Sequence, residues 1–228
     1  RQMCIRDRCI MAHSEFRNYR RTVQLTTSSE HSLADMYADL DWLPGGRLNI
    51  AHEAIDRHAN GWLRDKPAMI WQGRDGDREP YSFGRLRELT DKFANVLKSL
   101  GVGRHDRVFI FMDRLPELYI ALMGTLKVGA IASPMPPDLG QVAVGTRLKD
   151  TGVKVLVTEP HMRRAITGII PQLFELQHMI VVNKDARDPF PLEMADLSYD
   201  EEMDKASANL NIESTGQLDH PLMRYTLG

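Results

Sequence analysis

Between residues 81 and 183 the chain alternates short apolar runs with helix-length segments, and this alternation constrains the fold more than any single motif. Val108–Met112 is five consecutive apolar residues, the pattern of a strand buried on both faces. Ala130–Ala132, Val153–Val157 and Met179–Val182 repeat the strand signal, with helix-length segments near residues 138–151 and 159–175. A further helix beginning at about Pro116 is apolar nearly all round, which requires an interior position. Strand, helix and strand at this spacing need crossover connections. The reading is therefore an α/β fold, a layered parallel sheet with flanking helices and right-handed crossovers.

Upstream of that region, Ile50, Ala51, Ala54, Ile55 and His58 are spaced as one helical face. Pro67–Trp71 reads as a strand, and GRDGD at residues 73–77 as a tight turn into a second short strand that ends before Ser82, giving a hairpin. Ser82 is a good helix N-cap. Leu86, Leu89, Phe93, Val96, Leu97 and Leu100 follow it at steps of three and four, and Gly101 stands where a left-handed glycine closes a helix. After Asn183 the pattern thins. Residues 184–219 carry ten acidic side chains against three basic ones and read as a surface excursion with one short helix near 199–207.

Composition narrows the function classes. With 29 Lys and Arg against 31 Asp and Glu, the formal net charge is −2, so no global field would hold a nucleic acid or an anionic membrane. The longest apolar stretches fall well short of the ~18 residues of a membrane span. Cys4 and Cys9 are the only cysteines, which leaves neither a disulfide framework nor a thiolate zinc site and favours a reducing, cytoplasmic setting. Both lie in RQMCIRDRC, which lacks an initiator Met and reads as translated adapter sequence rather than protein. Residues 1–10 are set aside, and residues 11–30, polar and without periodicity, read as a mobile lead-in.

Several motif-like strings have plain structural explanations. Gly101-Val102-Gly103 precedes its strand, whereas a dinucleotide-binding turn must follow one so that the next helix can meet the pyrophosphate. Gly140 to Thr146 has the spacing of a Walker loop, but Thr146 stands where the phosphate-contacting lysine must be. His52 and His58 are six residues apart, a separation that does not place metal ligands on one helical face. No G-x-S-x-G elbow is present. No catalytic constellation is visible in the chain.

Longer segments are more informative. WLPGGRLNIAHEAIDRH (Trp42–His58) resembles the leading segment of acetyl-CoA synthetases and their short- and medium-chain acyl-CoA synthetase relatives, within the AMP-forming adenylating enzymes. YSFGRLRELTDKFANVLKSLGVGRHDRVFIFM (Tyr81–Met112), LPELYIALMGTLKVGAI (Leu115–Ile131), RLKDTGVKVLVT (Arg147–Thr158) and HPLMRYT (His220–Thr226) follow in the family's order. The resemblance covers about residues 40–183 and the last few residues. It implies that residues 31–228 are part of the large N-terminal domain of an adenylate-forming enzyme, truncated before its phosphate loop.

In that family a strand ending Tyr-Thr is followed by a loop of the form Ser-Gly-Thr-Thr-Gly-x-Pro-Lys-Gly, whose backbone N–H groups form an anion nest for the ATP phosphates. Thr226 is the residue that the resemblance makes the lead-in to this loop. Leu227 replaces the expected serine, so either Leu227 and Gly228 are non-native, the favoured reading, or the loop is altered. The implied parent reaction joins a small carboxylic acid, ATP and coenzyme A, with magnesium accompanying ATP, to give acyl-CoA, AMP and pyrophosphate. The adenine, acyl and catalytic residues would lie downstream, so the chain alone is expected to be inactive.

Arg164, in EPHMRRAIT, aligns with an arginine that contacts the nucleotide end of coenzyme A in acetyl-CoA synthetases, and Arg163 beside it is a near-equivalent. SPMPPDLG (Ser133–Gly140) departs from the aromatic, glycine-rich turn often found there. Two other classes stay open at this point: an adenylating enzyme that passes its acyl group to a carrier protein, and a non-catalytic module that binds a nucleotide or a partner.

Overall fold

The computed structural model describes residues 38–74, 76–184, 190–193, 196–216 and 218–225. The chain falls into two units, Arg1–Leu40 and Asp41–Gly228. Only residues 38–40 of the first are described, so the expected lead-in at residues 1–30 lies outside the described residues.

The second unit is built on one sheet whose five strands are all parallel. They are β3 (Arg107–Phe111), β4 (Ile131–Met135), β5 (Val155–Thr158), β6 (His178–Val181) and β7 (Asp196–Ser198), in the spatial order β4-β3-β5-β6-β7. Successive residues of a strand face opposite sides, and here both sides are covered. Val108 and Ile110 of β3, Val155 and Val157 of β5 and Ile180 of β6 enter one core; Phe109, Phe111, Leu156 and Met179 enter the other. That is why the runs are apolar throughout instead of alternating. A separate antiparallel hairpin, β1 (Pro67–Gln72) with β2 (Arg78–Ser82), matches the sequence expectation.

Two long helices cover the first face. Helix α2 (Phe83–Ser99) begins at Ser82, whose hydroxyl accepts the Arg85 N–H at 3.2 Å, and its stripe buries Leu86, Phe93, Val96 and Leu97. It stops at Gly101, where φ is +72°, a conformation open to glycine and strained for most residues. Helix α3 (Pro116–Lys127) packs against it closely enough that a methyl group at Gly124 would stand 2.8 Å from Phe93 Cδ1. The second face is covered by α4 (Gln141–Thr151) and α5 (Pro160–Ala165). The segment expected as one helix over 159–175 is instead α5, a run of turns and a short 3-10 turn at Ile170–Gln172. Thr167, Gly168 and Pro171 explain the break, because none favours a helix interior.

Ahead of the hairpin, the expected helix is a π-helical turn, His52–Asp56, running into α1 (Arg57–Ala59). Beyond β6, the acidic stretch read as a surface excursion also supplies structure to the sheet. Asp196–Ser198 forms its edge strand, and α6 (Tyr199–Lys205) follows, capped by Ser198 and carrying Asp200, Glu201 and Glu202 in its first turn. Residues 207–213 are then tied back to the domain by side-chain hydrogen bonds. Asn95 Nδ2 donates to Ser207 O at 2.7 Å, Lys98 Nζ to Asn211 O at 2.7 Å, and Asn49 Nδ2 to both Leu126 O at 2.8 Å and Glu213 O at 2.9 Å. At the end, Leu222 forms a parallel bridge with Ala132 on the open side of β4.

Candidate functional site

In a parallel sheet, ligands bind at the carboxyl ends of the strands where neighbouring connections leave for opposite faces. Here that point lies between β3 and β5. The connection after β3 leads to α3 on the first face, and the one after β5 leads to α5 on the second. There the two departing loops are joined by a contact in which Asp113 N–H donates to Glu159 Oε1 at 2.5 Å. Burial pushes the Glu159 carboxyl above its usual range, partly offset by that hydrogen bond. Thr158, the last residue of β5, is fully buried and its hydroxyl has no hydrogen-bond partner. The hairpin reaches the same edge, where Trp71 Nε1 donates to Arg114 O at 2.9 Å.

The two arginines after β5 part company. Consecutive helical residues point about 100° apart, and α5 turns Arg163 inward and Arg164 outward. Arg163 is 1% exposed. Its Nε donates to Asp196 Oδ1 at 2.9 Å, Nη2 to Glu193 Oε2 at 2.7 Å and Nη1 to Thr167 Oγ1 at 3.0 Å. These bonds raise its pKa against the opposing effect of burial and tie α5 to the edge strand β7. Arg164 is exposed, and its guanidinium lies over the Phe190 ring at 5.4 Å from the centroid.

Thr226 lies outside the described residues. The segment before it, residues 218–225, is described. Pro221 O accepts the Ala132 N–H at 3.0 Å, and Met223 N–H donates to Ala132 O at 2.9 Å. Leu222 thus forms an isolated parallel bridge with Ala132 at the edge of the sheet.

The remaining sequence candidates have structural partners. His52 Nε2 lies 2.9 Å from Asp41 Oδ2, and the His58 ring packs on Phe83 at 5.0 Å between centroids. Gly145, inside the Walker-like spacing, is a buried residue within α4. Among the described residues no group of three or more His, Cys, Asp or Glu side chains could hold a metal ion, and no helix is long and apolar enough to cross a membrane. Sequence reasoning did not find the Asp113–Glu159 closure. Its one signal is the placement of both carboxylates immediately beyond apolar strands.

The profile of the AMP-binding enzyme family matches residues 55–222, most of the chain, and the chain belongs to that family. It is 36% identical over 204 residues to an acetyl-coenzyme A synthetase of Bacillus subtilis, covering 85% of this chain and 34% of that protein. It is 30% identical over 197 residues to an acetyl-coenzyme A synthetase of Methanothrix thermoacetophila, covering 82% and 30% of the two chains. With a 3-hydroxypropionyl-coenzyme A synthetase of Metallosphaera sedula it shares 31% identity over 172 residues, covering 70% and 26%. The crystal structure of a Brucella canis acyl-CoA synthetase has the same fold, with a TM-score of 0.75 at 22% identity over 87% of this chain and 35% of that one. The chain spans about a third or less of the length of these relatives.

Proposed function

We propose that this chain is part of an AMP-forming acid–CoA ligase that activates acetate or another short-chain carboxylic acid. The observation that carries this reading is the 36% identity to an acetyl-coenzyme A synthetase maintained over 85% of the chain. In the first half-reaction a carboxylate oxygen attacks the α-phosphorus of ATP and pyrophosphate leaves, giving an acyl-adenylate. In the second, the coenzyme A sulfur attacks the acyl carbon, the bond to AMP breaks, and the thiol proton passes to solvent. A carboxylate is a poor electrophile until its oxygen becomes part of a leaving phosphate, so positioning and charge stabilisation supply most of the acceleration. Magnesium enters with ATP in this reading, and no described side chain is assigned to it.

The described part supplies one wall of the site and little of the chemistry. Arg164 is assigned to a phosphate at the nucleotide end of coenzyme A, with Arg163 holding α5 in place beneath it through Asp196 and Glu193. Thr226 is assigned to the lead-in of the ATP phosphate loop. The setting is cytoplasmic, and this chain alone is inactive.

The test uses the full-length enzyme that contains this segment. Acyl-CoA formation from a short-chain acid, ATP and coenzyme A is expected, with none from residues 1–228 alone. Arg164→Ala should raise the KM for coenzyme A about tenfold to a hundredfold, the loss of one charge-assisted contact. Acid-dependent ATP–pyrophosphate exchange should stay near wild type, because a remote phosphate takes no part in adenylation. Equal losses in both half-reactions would overturn the assignment of Arg164, and acyl transfer to a carrier protein in place of coenzyme A would overturn the ligase reading.

A further inference from the structure

The last carbonyls of a helix have no partner further along it, and at the end of α3 two distant segments supply partners. Leu126 O accepts a hydrogen bond from Asn49 Nδ2 at 2.8 Å, and Lys127 O accepts the Glu213 N–H at 2.8 Å. Asn49 is 1% exposed and fills all four of its hydrogen-bonding positions. Its Oδ1 accepts the Ala51 and His52 N–H groups at 2.9 and 3.3 Å, while Nδ2 also donates to Glu213 O at 2.9 Å, across 164 residues of sequence. Leu48 and Thr215 bond in both directions beside it. Leu48 N–H donates to Thr215 O at 3.1 Å, Thr215 N–H to Leu48 O at 2.8 Å, and the Thr215 hydroxyl to the same oxygen at 2.6 Å. Residues 213–215 also lie close on the turn that follows α3, where a methyl group at Gly129 would stand 3.0 Å from Glu213 Cγ.

We infer that residues 213–215 are a strap latched by Asn49 over the end of α3, so that the strap and residues 48–52 open and close as one unit, independently of the ligase reading. A buried amide with every position filled cannot release one segment and keep the other without stranding a donor or an acceptor, and a stranded buried group costs more than a typical hydrogen bond contributes. Releasing both segments together returns every group to water. Opening therefore uncovers the carbonyl end of α3 in one step while the sheet stays folded, as a local unfolding unit does.

The test is native-state hydrogen exchange of the full-length protein that contains this segment, read residue by residue by mass spectrometry over a series of urea concentrations below global unfolding. The amides of Leu48, Ala51, Glu213 and Thr215 are expected to share one opening equilibrium and one urea slope, and to exchange faster than those of Ile110 and Val157 in the sheet. Asn49→Ala should speed exchange at Glu213 and Thr215 about tenfold or more, the loss of one or two net hydrogen bonds, with Ile110 and Val157 unchanged. Thr215→Val is the milder change from the other side. It should speed Ala51 as well as Thr215, although the Ala51 N–H is bonded to Asn49 and not to Thr215. Faster exchange confined to Ala51 and His52 in Asn49→Ala would make Asn49 a local cap, and an equal acceleration at Ile110 would make it a support of the whole fold; either result overturns the inference, as does an unmoved Ala51 in Thr215→Val. Should Asn49→Ala fail to fold, the wild-type urea series decides alone, and separate opening equilibria for Leu48 and Glu213 overturn the single unit.

Discussion

Lys127 Nζ lies 2.6 Å from Asp91 Oδ1, with both side chains buried. The same ammonium is 2.9 Å from Asp56 Oδ1, and Arg87 Nε reaches Asp56 at 3.3 Å and Asp91 at 3.6 Å. One lysine at the end of α3 thus joins α2 to the π-helical turn that ends at Asp56. Burial raises the Asp91 pKa even with this cation beside it, so the charge there depends on Lys127.

Lys127→Met would leave two buried carboxylates with only the partly exposed Arg87 as counter-charge. It is expected to destabilise the fold by about 3–5 kcal/mol, read from urea unfolding. Replacing Asp56 and Asp91 by Leu in the same chain should recover much of that loss, because a well-packed apolar cluster needs no charge partner. If the triple variant is no more stable than Lys127→Met, the group acts through more than charge balance.

Phe93 is fully buried and its ring stacks on Tyr199 at 5.9 Å. Phe93→Ala should cost about 3–5 kcal/mol as a cavity opens between α2 and the sheet. Gly124→Ala places a methyl group 2.8 Å from Phe93 Cδ1 and 3.0 Å from Thr90 O, and overpacking of this kind costs about 1–3 kcal/mol. The double variant should lose less than the sum, since removing the ring relieves the closer clash. Strict additivity in thermal unfolding would count against that contact.

The neighbouring arginines should separate cleanly. Arg163→Ala strands Asp196, which is 6% exposed, and is expected to lower stability by about 3–5 kcal/mol. Arg164→Ala, at an exposed position, should stay within about 0.5 kcal/mol of wild type. Similar midpoints for the two variants would contradict the inward and outward division seen in α5.

Glu159 offers a pH signature. Its folded-state pKa is raised by burial above the usual 4.5, so the folded state takes up the proton more readily than the unfolded chain. The ionised group therefore costs stability at neutral pH, and that cost disappears as pH falls through the folded pKa. Glu159→Gln keeps an oxygen to accept the Asp113 N–H and carries no charge. Stability near neutral pH should equal or exceed wild type, and the stability gain on acidification toward pH 4.5 should flatten. A variant whose pH dependence matches wild type would show that Glu159 does not titrate in this window.

Local patterning in the sequence determined the layered architecture. The unbroken apolar runs at Val108–Met112 and Val155–Val157 marked strands covered on both faces, and the Leu86 to Leu97 stripe between Ser82 and Gly101 marked one half-buried helix. The ordered blocks from Trp42 to Thr226 likewise pointed to the family that the comparisons support. Tertiary structure alone decided which residues meet. Asp196–Ser198 has too short and polar a pattern to announce a strand, and it becomes one beside β6 where Arg163, 33 residues away, binds Asp196. Lys127 looks like the polar end of an apolar helix until Asp91 and Asp56, 36 and 71 residues away, converge on it. Arg163 and Arg164 are chemically identical, and only the rotation of α5 against the sheet makes one a buried tie and leaves the other facing solvent. Periodicity records which face of an element avoids water, because that is a local property of the side chains. Partner choice depends on distant segments meeting with matched charge in a space that no single segment encloses.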